Sequence, residues 1–257
     1  MRRIAMDALS TMLKPLALLE KVAGMDHPAT LAEIAEDCDV PKPTVHRWLG
    51  SLTNAGLLQR TPDGRRFELA SRATRLAFAI LSNGPSGALR HEILQSVVRE
   101  VGESCNLTIL RGAQVIYLDR VESKWPLRIT FQPGSNVPAH CSASGKLFLA
   151  LLPASRRERI IRELTLEKFT EKTIIDAAVL RQEFTVIRRQ SYSVDREEYL
   201  SGLICLAVPV FKGAGRSRTC IAALALQAPV ARFSYDQMVQ TLPTLQRASS
   251  ALSATLE

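Results

Sequence analysis

Within ten residues of one another, Lys42, Thr44, His46, Arg47 and Ser51 offer ammonium, hydroxyl, imidazole and guanidinium donors, with no carboxylate among them, and Arg65 and Arg66 follow. That set suits recognition of an anion. Lys and Arg grip phosphate, and the Arg fork matches the paired acceptors of a guanine edge. At helical spacing Thr44, Arg47 and Ser51 share one side, with Lys42 and His46 beside them and Val45 within the same turn. These residues, with Arg65 and Arg66, form the expected DNA-contacting set. Arg47 is suited either to a base edge or to a phosphate, and the sequence leaves both open.

Such a set needs a rigid carrier. Leu31, Ile34, Ala35 and Cys38 fall at i, i+3, i+4 and i+7, and Val45, Trp48, Leu49 and Leu52 repeat that stripe on a second helix. Thr30 with Glu33 three residues later reads as a capping box. Asp39 stands where a left-handed residue closes the turn, a conformation Asp tolerates, and Pro43 suits a first helical turn. Residues 56–60 and 65–69 then flank Thr61-Pro62-Asp63-Gly64, a hairpin turn. Helix, sharp turn, helix and basic hairpin, in that order, predict a winged helix-turn-helix, which lays its second helix in the DNA major groove.

The chain has 257 residues, enough for two domains. Its net charge of +8 agrees with a polyanionic partner, but residues 1–75 hold 11 Lys and Arg against 9 Asp and Glu. DNA binding therefore rests on where the cations sit rather than on bulk charge. Five scattered cysteines show no zinc spacing and suggest buried thiols in a reducing interior. The first residues do not form a secretory leader, and the longest apolar run, 219–231, is too short to span a membrane. The expectation is a cytoplasmic protein without cofactor, metal or membrane partner.

Apolar periodicity predicts a helix over 9–23 packed behind the DNA-facing pair, and another over 71–81 leading into a joint at 82–87, Ser-Asn-Gly-Pro-Ser-Gly. The expected division is 1–71 for the DNA-binding domain, 72–87 for a linker helix and joint, and 88–257 for an effector-binding and oligomerisation domain. In the last part helices are expected over 88–101, 145–152, 154–164, 177–190 and 235–256. Strands are expected over 106–111, 114–120, 127–132, 203–211 and 219–227.

Three further segments, VPAHCSASGKLFLALLP (137–153), YSVDREEYLSGLICLAVPVF (192–211) and ALALQAP (223–229), join the head motif LAEIAEDCDVPKPTVHRWLGSLTNAGLLQRTPDGRRFEL (31–69). In this order and separation the chain resembles the IclR family of bacterial transcription factors over nearly its whole length. The resemblance implies an α+β two-domain fold, with an N-terminal winged helix-turn-helix and a C-terminal α/β effector-binding domain like GAF or profilin-like sensors. It implies a ligand-responsive repressor or activator that binds a double-stranded DNA operator as a homodimer or dimer of dimers. The effector would be a small organic acid or aromatic metabolite. Carried over by motif, its pocket falls on Ile129, Val137, Ala143, Ser144, Asp195, Cys205, Ala225 and Gln227. Ser142-Ala143-Ser144-Gly145 opens a helix whose free N–H groups suit a carboxylate. Lys146 reads as a solvated side chain. Where the family often carries two serines on its late strand, this chain has Ala225 and Gln227, which suggests an effector larger or less polar than a two- or three-carbon oxoacid. In the head, Pro43 and Asp39 replace a frequent serine and glycine.

An enzyme is the rival reading, since His140-Cys141 sits beside Ser142 and Ser144. Neighbours in sequence seldom make a nucleophile–base pair, and no G-x-S-x-G elbow, dinucleotide fingerprint or P-loop is present. No catalytic residue is therefore expected. A second alternative makes the C-terminal domain a dimerisation module alone.

Overall fold

The computed structural model describes residues 10, 12–25, 27–83, 85–126, 134–213, 215 and 218–255. The chain divides into two compact units, Met1–Ile80 and Leu81–Glu257.

In the first unit helices α1 (Lys14–Gly24), α2 (Leu31–Cys38) and α3 (Lys42–Asn54) stand beside a three-stranded sheet of order β1-β3-β2, formed by β1 (Ala29–Thr30), β2 (Leu58–Arg60) and β3 (Arg66–Leu69). Leu18, Ile34, Val45, Leu49 and Leu58 converge in its core. The capping box is formed: Glu33 N–H donates to Thr30 Oγ1 at 3.3 Å, and Thr30 N–H donates to Glu33 Oε2 at 2.7 Å. Asp39 ends α2 in the left-handed region, φ 54° and ψ 46°, so the chain turns within three residues into α3. The first helix was expected to bury the face of Leu9, Met12, Leu13, Leu16 and Leu19, and that face is shifted. Ala17, Leu18, Leu19 and Val22 point inward, while Leu13 and Leu16 stay in water. A helix this rich in leucine offers two apolar faces, and the one carrying Ala17, Leu18, Leu19 and Val22 joins the core.

Helices α4 (Ser71–Asn83) and α5 (Pro85–Val101) replace the expected irregular joint, whose described residues are helical. Pro85 is the physical reason. Its fixed φ and missing N–H favour the first position of a new helix over a loop.

The second unit is a six-stranded antiparallel sheet of order β6-β5-β4-β9-β8-β7, covered by helices on both faces. Its strands are β4 (Ser104–Arg111), β5 (Gln114–Val121), β6 (Asn136–Pro138), β7 (Ser193–Arg196), β8 (Leu203–Lys212) and β9 (Thr219–Pro229). Leu107, Leu206, Val208, Leu224 and Leu226 face α5, α9 (Tyr235–Gln240) and α10 (Leu242–Thr255). Ala207, Ala223 and Ala225 face α6 (Ala143–Leu151), α7 (Ala154–Glu163) and α8 (Ala177–Gln190). Strands β1, β6 and β7 were not expected, and the single late helix is two, broken at Thr241 with Pro243 in the first turn of the second. The expected strand over 127–132 lies outside the described residues.

Gly145 fixes how α6 is seated. A Cβ built there would stand 2.3 Å from the carbonyl oxygen of Ala139 and 2.4 Å from its Cα. Gly145→Ala therefore forces two backbones apart, and we expect it to destabilise the second unit by roughly 1–3 kcal/mol. Gly50, in α3, has nothing within 4 Å of its built Cβ, so Gly50→Ala should stabilise the head by roughly 0.5–1 kcal/mol. Urea denaturation of both variants checks the contrast in sign.

Candidate DNA-contacting surface and ligand-binding face

The outer side of α3 carries Lys42, His46, Arg47 and Ser51, all exposed, with Thr44 half-buried at its edge. Lys42, His46 and Arg47 make no side-chain hydrogen bond or ion pair among the described residues, and Ser51 Oγ donates only to the Arg47 carbonyl at 3.1 Å. A row of donors without internal partners, two of them cationic, can accept an external polyanion. Two members of the expected set are not on that row. Val45 is 0% exposed and belongs to the core, because the apolar stripe that orients α3 runs through it. Arg66 is tied to the body of the head: its Nη1 donates to the Pro28 carbonyl at 3.0 Å and lies 3.4 Å from Glu33 Oε2. A cation one residue inside β3 points across to β1 rather than outward. Arg65 remains exposed at the wing tip, where Gly64 takes φ +70°. Sequence reasoning passed over Arg60, whose guanidinium lies 4.6 Å from the Phe67 ring centroid and donates to the Gly64 carbonyl at 2.7 Å. That arrangement holds the wing turn closed.

In the second unit, strand register collects the other expected residues. Asp195 pairs with Cys205 and Cys205 with Gln227, whose other neighbour is Ser104. One step along the strands, the row reads Ser193, Ala207, Ala225, Asn106, Arg120. Alternation turns both rows toward α6. A bulge at Leu118, where the register against β4 slips between Leu107 and Thr108, keeps Tyr117 and Arg120, three residues apart, on the same face. Ala143, Ser144 and Val137 are buried at this side of the sheet, and Ile129 lies outside the described residues.

The face carries more polar side chains than the expected pocket set named. Arg120 Nη1 donates to Asn106 Oδ1 at 2.6 Å and to Gln227 Oε1 at 3.2 Å. Asp195, 2% exposed, accepts from the Glu198 N–H at 2.6 Å. Burial, with Glu198 nearby, pushes its carboxyl up to about 7. Lys146 is not solvated. It is 1% exposed, ion-paired with Glu198, and 3.4 Å from Glu183. Its position on the inner side of α6, opposite carboxylates from other elements, overrides its usual preference for water. The helix N-terminus at Ser142 is partly satisfied from within, since Gly145 N–H donates to Ser142 Oγ at 3.3 Å. Asn106, Arg120, Ser193 and Lys146 were missed. Their signal was polar residues at inward positions of otherwise apolar strands and a helix.

Cys141 and His140 form no catalytic pair. Burial raises the Cys141 thiol far above its ordinary value, and His140 Nε2 donates to the Glu167 carbonyl at 2.9 Å. A cleft of about 340 Å³ opens elsewhere, between α8 and the outer side of β7. Its Lys172 is paired with Glu197 and its Arg196 is stacked on Tyr235 at 4.2 Å. No described helix is long and apolar enough to cross a membrane, and no metal-binding cluster occurs among the described residues.

Two family models match. One, the IclR helix-turn-helix domain, covers residues 13–62, and the other, the C-terminal domain of bacterial IclR transcriptional regulators, covers 81–254. The probable transcriptional regulator SauR of Cupriavidus necator is 44% identical over 238 residues, covering 93% of each chain. The solved IclR of Thermotoga maritima superposes with a TM-score of 0.64 at 23% identity, over 96% of this chain and 98% of that one. An IclR homolog from Microbacterium hydrocarbonoxydans, solved in complex with 4-hydroxybenzoate, gives a TM-score of 0.59 at 22% identity, covering 96% and 99%.

Asp195 makes a pH signature. Its folded value is about 7, against about 3.9 when unfolded. Between those values the native chain holds a proton that the unfolded chain has lost, so stability falls as pH rises through that window. Asp195→Asn removes the titration, and the variant's melting temperature should fall less between pH 5 and pH 8, by roughly 3–6 °C, than that of the parent. Thermal denaturation of both proteins at the two pH values measures it.

Proposed function

The chain belongs to the IclR family of bacterial transcriptional regulators, and from that premise we propose that a small organic molecule held on the α6 side of the C-terminal sheet controls its grip on a DNA operator. Members of the family are regulators rather than enzymes. The observation that carries the DNA half of the reading is the outer row of α3, where Lys42, His46 and Arg47 stand in water with Thr44 and Ser51. Arg65 and Arg60 supply the wing. This revises the expected contact set by setting Val45 aside and giving Arg66 a structural role.

The functional protein is a homodimer or a dimer of dimers. Leu76 and Ile80, four residues apart on α4, are 50% and 65% exposed, and an apolar pair presented to water on a regular helix suits burial against a second copy. Two recognition helices related by a two-fold axis require a roughly palindromic operator, with half-sites about 34 Å apart or a multiple of that. Residues 1–71 make the DNA-binding domain, 72–87 the connecting helical segment, and 88–257 the sensor.

The effector is an organic acid or aromatic metabolite, bound among Val137, Ala143, Ser144, Asp195, Cys205, Ala225 and Gln227. The aromatic acid in the Microbacterium homolog supports that class. For the ligand to act, operator-competent and incompetent states must differ in their affinity for it.

Arg47→Ala tests the DNA half. On a promoter fragment selected from genomic DNA by the parent protein, gel-shift affinity should drop roughly 10- to 100-fold, with the melting temperature unchanged. If Arg47 meets phosphate, the salt slope also falls by about 1, and if it reads a base, the loss is confined to the cognate site. Unchanged affinity removes Arg47 from the interface.

A further inference from the structure

The carbonyls at the end of α3 have no partners further along the helix. Two are met by the turn that follows. Gly56 N–H donates to the Thr53 carbonyl and Leu57 N–H to the Leu52 carbonyl, each at 2.9 Å, with Gly56 in the left-handed region at φ +69°. The carbonyl of Ala55, at the cap itself, accepts from Arg72 Nη1 at 2.7 Å. Arg72 is the second residue of α4, so this donor comes from the helix that leads out of the head. A guanidinium there also meets the negative end of the α3 dipole. Its stem runs beside the turn: a Cβ built on Gly56 would stand 3.9 Å from Arg72 Cβ and Cδ.

Packing does not fasten α4 to the head. Among the described residues, none of α4 joins the apolar core around Leu18, Ile34 and Leu49. Thr74 Oγ1 and Arg75 Nη1 bond locally, to the Ala70 carbonyl and to Ser71 Oγ, each at 3.4 Å. The chain enters α4 through Ala70, whose N–H donates to the Leu57 carbonyl at 3.0 Å. That bond fixes where α4 starts. A second tie is needed to fix its direction, and the Arg72 side chain supplies it.

We infer that Arg72 is a positioning residue for DNA recognition. By clamping α4 to the C-terminus of α3, it sets the angle at which each head leaves its connecting helix, and so the separation of two recognition helices on an operator. The inference rests on the paired-head reading above. Arg72, Leu76 and Ile80 follow at steps of four, so the clamp and the apolar pair assigned to a second copy lie along one stripe of α4. A turn of α4 about its axis moves both together.

The test uses the full chain and the operator fragment selected by the parent. Its half-sites are located by footprinting, and the fragment is rebuilt with two base pairs added or removed between them. That change turns one half-site by about 70° around the duplex and shifts it by about 7 Å. The parent should lose about 10-fold or more in gel-shift affinity on either altered fragment, because both heads can no longer engage at once. Arg72→Met keeps the stem and removes donor and charge, and Arg72→Ala removes all three. Each should lose less than about 3-fold between natural and altered spacing, and a fragment with a single half-site should bind parent and variants within about 3-fold of one another. If one variant does not fold, the other decides. Variants as strict about spacing as the parent overturn the inference. So does a variant weakened equally on the single half-site and on the full operator, since Arg72 would then only hold the head together. A parent indifferent to spacing removes the paired-head reading, and this inference with it.

Discussion

An antiparallel sheet with helices on both faces has no side turned to water, so every polar side chain on it must be satisfied from within or from a ligand. That constraint organises the second unit. On the α5 and α10 side it is met by leaving polar groups out, and leucines, valines and alanines fill the layer. On the α6 side the sheet admits Asn106, Arg120, Ser193, Asp195 and Gln227. The contrast between the two faces of one sheet is what supports placing the proposed ligand on the α6 side. A fold that needed only a core would have built both sides alike.

Charges on that side come from distant parts of the chain. Lys146 on α6 meets Glu198, which follows β7, and Glu183 on α8. Breaking such a buried set by removing one partner leaves an uncompensated charge, while the intact set contributes little net stability. Its role is better read as geometric, since it locks the start of α6 to the strand that carries Asp195. Gly145 serves the same end by letting α6 approach the Ala139 backbone.

Much of the fold was legible in the sequence wherever local signals agreed. Helix α8 matches its expected limits because Asp176 caps it and Arg188 and Arg189 close it. The head followed from two apolar stripes, a capping box and a Pro-Asp-Gly turn. Strands β6 and β7 were missed because three or four residues are too few to show alternation, and β7 exists only through its pairing with β8. Arg120 read as the polar end of a strand, and a bulge at Leu118 in that same strand, invisible in sequence, turns it inward. Lys146 read as solvated because its partner Glu198 lies fifty-two residues away. Val45 shows the opposite error: its place between Thr44 and His46 put it in the contact set, although it begins the apolar stripe that faces the core.

The Arg66 tether has a further implication. It ties the root of the wing to the Pro28 carbonyl and to Glu33, the same carboxylate that caps the first helix of the motif. Wing and helix pair are thus braced as one solid piece. Damage at Glu33 would surface in a genetic hunt for lost promoter occupancy, mimicking a contact-site lesion while acting only through the brace.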